Sequence, residues 1–156
     1  EEIDRLIKER FMETHLALSA GVPDEWRASA EAILALIIVF DQFPRNMFRD
    51  SPHAFATDSL ALREARFAID NGLDRSVAED RRLFFYLPFE HSERMEDQDR
   101  CVELVTALGD EELMKYAIAH RDVIARYGRF PHRNAILARV SNPEEEAYLS
   151  QPGAGF

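Results

Sequence analysis

The sequence predicts an all-α protein built from stacked antiparallel helical hairpins, and three observations carry that expectation. Apolar periodicity stops at glycine four times, at Gly21, Gly72, Gly109 and Gly128, as it does where a residue past a helix end turns left-handed. Start signals alternate with these stops. Ser76 and Glu79 have capping-box spacing, and Asn142, Pro143 and Glu145 repeat it with proline at the first helical position. No Asn-Gly or Asp-Gly turn separates two alternating runs; Asn71-Gly72 follows a helical pattern and reads as a helix end.

The elements follow in order. In a first helix, Ile3–Ala20, the side chains of Ile3, Leu6, Ile7, Phe11 and Leu18 fall within one arc, with Met12 and Leu16 opposite, as in a helix packed on two neighbours. A second helix is expected over Glu25–Gln42. Its run Ala32–Phe40 is apolar all round, and Ile37-Ile38-Val39-Phe40 alone resembles a buried strand. The unbroken, alanine-rich approach from Ala28 favours a central buried helix. Further helices are expected at Ser59–Asn71, Val77–Tyr86, Glu93–Leu108 and Glu111–Tyr127, then short ones at Ala135–Val140 and Pro143–Ser150. Asp24, Asp58, Ser92 and Asp110 read as additional caps.

A chain of 156 residues with 46% hydrophobic content holds enough apolar surface for one domain, expected over residues 1–156. Ala32–Phe40 is about half a bilayer span, so no membrane crossing is expected. The single cysteine, Cys101, and the lack of a visible signal peptide point to the cytoplasm. The chain starts at Glu1 rather than methionine, so a natural start upstream is expected. The net charge of −10 argues against a nucleic-acid surface. Cations are almost all arginine, Lys8 and Lys115 being the exceptions. Arg126, Arg129, Arg133 and Arg139 lie between Val123 and Asn142 with no carboxylate among them. Arginine is suited to bidentate contacts with carboxylate or phosphate; a genome rich in G+C accounts for it equally.

Three helix endings look alike: Phe40-Asp41-Gln42-Phe43-Pro44, Phe84-Phe85-Tyr86-Leu87-Pro88 and Tyr127-Gly128-Arg129-Phe130-Pro131. Their prolines recur at intervals of 44 and 43 residues, with two helices per interval, as in a degenerate tetratricopeptide-like array. In such an array the residues after the prolines gather along one rim. These are Arg45-Asn46, Phe89-Glu90-His91-Ser92-Glu93 and His132-Arg133-Asn134.

The stretches Phe40–Asp58, Leu87–Gln98 and Tyr127–Arg139 resemble the signature blocks of a widespread bacterial family of unknown function. The resemblance spans nearly the whole chain and implies an all-helical, tetratricopeptide-like fold, without implying an activity. Family members usually begin with a further segment bearing a Phe-Trp-Phe block, absent here, and tend to have glycine where this chain has Ala138.

No Walker loop, dinucleotide fingerprint, nucleophile elbow or zincin helix is present. No metal or cofactor is expected, because Asp41, His91, Glu93 and His132 would have to converge from separate places. His15 and His53 read as surface residues, His120 as a helix-face residue, and Cys101 as a small buried hydrophobe. Three readings of the rim stay open. In the first, Asn46 and Asn134 cap helices, and Arg45 and Arg133 pair with Asp41 or Glu90 to fasten the fold. In the second, the protein is a binding module whose rim (Asp41, Gln42, Arg45, Asn46, Arg49, His91, Glu93, Arg129, His132, Arg133 and Asn134) recognises an anionic small molecule or acidic peptide. In the third, it is a hydrolase-like enzyme with His91 as acid or base, oriented by Glu93.

Overall fold

The computed structural model describes residues 2–156, and among these every regular element is helical. Seven α-helices lie among the described residues: α1 (Glu2–Ala20), α2 (Ala30–Met47), α3 (Asp58–Asp70), α4 (Glu79–Glu90), α5 (Met95–Thr106), α6 (Glu111–Tyr127) and α7 (Pro143–Leu149). Short 3-10 turns occur at Asp24–Arg27, Pro52–Phe55, Leu73–Ser76 and Pro131–Arg133. The chain divides into two compact units, Glu1–Ser92 and Glu93–Phe156. No helix among the described residues is long and apolar enough to cross a membrane.

In the first unit α2 is the central helix, packed against α1, α3 and α4. Ile33, Leu36, Ile37 and Phe40 are wholly buried, as the apolar run predicts. Leu18, Leu36, Val39, Phe40 and Ala61 form one core cluster, with Trp26 and Phe43 against it. The helix begins later than expected. Ser29 caps it by accepting from the Ala32 N–H, and the residues before it make a 3-10 turn. It also ends later, running through Pro44 to Met47. Proline removes the N–H that would bond the Phe40 carbonyl, and the Thr57 hydroxyl donates to that carbonyl instead, at 2.6 Å. Pro88 likewise lies inside a helix, α4, whereas Pro131 opens a 3-10 turn after Gly128 has ended α6. The three prolines therefore do not mark equivalent helix ends.

Several local expectations change. Ser76 closes a 3-10 turn, and α4 starts after Ala78 with no side-chain cap. Ser92 does not cap α5, whose cap position is Arg94. Asp58 is the first residue of α3, after Thr57. Asp110 and the Asn142/Glu145 capping box are as predicted. The predicted arc on α1 is only half used: Leu18 is buried, while Ile3 and Leu6 are exposed. His15, expected at the surface, is buried with its Nδ1 3.2 Å from the Val39 carbonyl.

In the second unit α5 packs on α6, and α7 meets the Pro131–Arg133 turn. Val123, Ile124 and Phe130 form its core cluster with Met95, Tyr127 and Tyr148. The helix predicted at Ala135–Val140 is instead a reversal, closed by the Arg139 N–H donating to the Asn134 carbonyl at 2.8 Å. Ala138 has a φ of 53°, the left-handed region that favours glycine. Side-chain bonds from Asn134 and Arg139 outweigh helix propensity here.

Candidate functional site

Two polar clusters hold the residues singled out by the sequence, one in each unit. The first is built on the last turns of α2 and α4. Asp41 lies nearly two turns before the helix end at Met47 and is only 1% exposed. The His91 ring, just past α4, has its Nδ1 2.7 Å from Asp41 Oδ1, and Gln42 Nε2 donates to Oδ2 at 2.6 Å. Arg45 Nη1 stands 3.6 Å from Oδ1 and donates to the Asp41 carbonyl at 2.6 Å. Its fork then closes on Asp58, at 2.8 and 3.1 Å, with the guanidinium over the Phe55 ring. Burial opposes the ionised form of Asp41. The charge and hydrogen bond of His91, with Arg45 and Gln42, outweigh it and hold the carboxyl below its ordinary range.

Asn46 and Arg49 lie on the same helix end but face another partner. Both donate to Asp4 of α1, at 2.8 and 2.9 Å, and hold its carboxyl far below the usual range. Asn46 is thus a tie between α2 and α1, not a helix cap.

The second cluster surrounds the segment after α6. Glu93 takes a two-pronged contact from Arg139, at 2.8 and 3.0 Å, and accepts the Phe130 N–H at 2.8 Å. Burial works against its ionisation, but Arg139 and that N–H outweigh it and lower the carboxyl. Arg139 also donates through Nε to Asn134 Oδ1, and Asn134 reaches on to Ser141 and Glu145. Asn134 is therefore a bridge, not a cap. Glu145 receives both prongs of Arg129, at 2.7 and 2.8 Å, and the Asn142 N–H; these hold it at about 2. Arg133 is buried, with its guanidinium 4.6 Å from the Phe130 ring centre. Burial, together with the Arg133 charge, pushes His132 down to about 4, and its Nδ1 has no hydrogen-bond partner among the described residues. Phe156 stacks on His120 at 3.6 Å and meets His132 edge-on.

Of the residues predicted for the site, Asp41, Gln42, Arg45 and His91 come together in the first unit. Glu93, Arg129, Arg133, Asn134 and His132 belong to the second. The carboxylate that holds His91 Nδ1 is Asp41. Asp58, Arg139 and Glu145 complete the clusters and were not predicted as site residues. Arg139 had a signal, its place in the carboxylate-free arginine run, and Glu145 was visible only as a cap. Among the described residues no group of three or more His, Cys, Asp or Glu side chains is arranged to hold a metal ion.

Residues 1–153 match a family described as a bacterial protein of unknown function (DUF924). The chain belongs to this family. The fold is similar to the solved structure of a protein of unknown function from Agrobacterium tumefaciens, with a TM-score of 0.92 and 45% sequence identity. That likeness covers 97% of this chain and 85% of the other. Comparison with curated proteins produced no match. Family and fold are thus settled together, and neither carries an activity to this chain.

Proposed function

We propose that this protein binds a small acidic molecule at the end of α2 and α4, with His91 as the group that exchanges or shares a proton with it. The observation that supports this reading is the 2.7 Å contact between His91 Nδ1 and a carboxylate only 1% exposed. A buried carboxylate fixes one ring nitrogen as the hydrogen-bond donor and so sets the role of the other, the arrangement general acid–base chemistry uses. A buried ion pair adds little net stability compared with packed apolar groups, which favours function over fastening as the reason for this one. Arg45, Arg49 and Arg129 are engaged by Asp58, Asp4 and Glu145, so a rim of arginines waiting for an anion is the less supported form of the reading.

Two measurements test it. Nitrogen-15 spectra of the imidazoles should show His91 as the Nδ1–H tautomer at neutral pH when the ring is uncharged; an Nε2–H tautomer would overturn the assignment. A thermal-shift screen with phosphates, dicarboxylates and their esters should find a stabilising compound whose effect disappears in His91→Gln and in Asp41→Asn. A compound that stabilises all three proteins equally binds elsewhere and counts against the site.

A further inference from the structure

The first unit contains a cleft unrelated to either cluster. About 450 Å³ in volume, it lies between α1 and the segment leading into the Asp24–Arg27 turn. Its floor is apolar, made by Leu18, Pro23 and Trp26; Leu18 is buried, and Trp26 packs on the core cluster, so that wall is rigid. Its polar lining comes from α1: Arg10, Glu13 and Thr14. The volume lies in the range of small-molecule sites, which combine apolar walls with a few placed polar groups.

The two charges decide the ligand class. Arg10 and Glu13 are three residues apart on one helix, a spacing at which opposite charges readily pair. They do not pair here. Arg10 lies instead over the Phe11 ring at 5.6 Å, and neither residue has an ion-pair partner among the described residues. A guanidinium and a carboxylate thus stand side by side above an apolar floor, neither of them in an ion pair with another described residue. We infer that this cleft binds a small zwitterion with an apolar body, a short peptide or an apolar amino acid. The ligand carboxylate meets Arg10, its ammonium meets Glu13, and its apolar side chain lies on Trp26. Neighbouring positions on one helix face have Cβ atoms about 5–6 Å apart, which suits the ends of a dipeptide better than those of a free amino acid. This site is separate from the one proposed around His91 and stands or falls independently.

Trp26 is the only tryptophan of the chain, so its emission reports on this cleft alone. L-alanyl-L-leucine should change that emission saturably. N-acetylation or C-amidation of the dipeptide should each weaken binding about tenfold, as loss of one charged hydrogen bond does. Arg10→Gln should remove the preference for the free carboxylate and Glu13→Gln the preference for the free ammonium. Both positions are exposed, so the variants keep the parent's melting temperature. Free L-leucine binding as tightly as the dipeptide would assign the amino acid as the ligand within the same class. Capped and uncapped dipeptides binding alike would overturn the zwitterion inference. Absence of a saturable response to leucine and dipeptide up to about 10 mM, beyond even weak millimolar sites, would overturn the cleft as a ligand site.

Discussion

At the end of α2 a buried carboxylate is held by an imidazole and two α2 side chains; around the segment that follows α6 two carboxylates, Glu93 and Glu145, are held by guanidinium forks. The difference follows from what surrounds each cluster. The first sits at the end of a helix whose Ile33, Leu36, Ile37 and Phe40 are wholly buried, so apolar packing already determines where Asp41 lies. The second surrounds residues 129–142, a stretch without a regular α-helix. There Arg129, Asn134, Arg139, Glu93 and Glu145 supply the tertiary ties that hold the backbone path. Where a core already sets the geometry, a polar group is available for chemistry. Where it does not, the polar groups are the structure.

The largest effect expected from this contrast is in the first unit's core. Ile37→Asp places an unpaired charge at a fully buried position, costing several kcal/mol, and should leave no cooperative melt by circular dichroism. A folded, cooperatively melting variant would break the premise that α2 packing positions Asp41.

Next comes the fork. Arg139→Ala strips half-buried Glu93 of both prongs and frees the Phe130 carbonyl, so it should cost about 2–3 kcal/mol in urea melts, as loss of charged hydrogen bonds does. His91→Gln should cost less, about 1.5 kcal/mol, because it removes one charged hydrogen bond from a frame that packing retains. The reverse order would show that the α2 cluster is the structural one.

Acid should act on the second unit in two steps. His132 titrates at about 4 in the folded chain against an ordinary 6.5, so the unfolded chain takes up the proton first. Stability from this residue is full above pH 6.5 and falls as the pH drops toward 4. Glu145 titrates at about 2 against 4.5, so its contribution is present above pH 4.5 and falls as the pH drops toward 2. Urea midpoints between pH 7 and 2 should show both windows. His132→Phe should flatten the upper one alone, and a profile unchanged by that variant would remove His132 as its origin.

The smallest effect sharpens the picture of the reversal. Ala138 occupies the left-handed region at φ 53°, so Ala138→Gly should raise stability by about 1 kcal/mol, measured as a higher urea midpoint. A lower midpoint would mean that alanine's stiffer unfolded chain outweighs the strain.

What the sequence determined by itself was local. The order of helices, α2 as the apolar centre, the Asp110 cap and the Asn142/Glu145 capping box were all legible, because they depend on residues three or four apart and on apolar spacing. The polar residues around Pro44 and just past Pro88 stood out in the sequence as well, through the likeness of those two stretches. Tertiary structure decided which partner each of them took. Asp41 meets His91 fifty residues away, and Arg49 meets Asp4 across forty-five. At such separations no spacing rule operates; packing of the helices alone brings the groups within hydrogen-bond reach. The same cause moved the boundaries. Pro44 reads as a helix stop, but Thr57 takes the carbonyl that proline leaves without a donor and α2 continues. Ala135–Val140 reads as a helix, but bonds from Asn134 to Ser141 and Glu145, and from Arg139 to Glu93, turn it back. Helix propensity is worth tenths of a kcal/mol per residue, and a buried charged hydrogen bond is worth more.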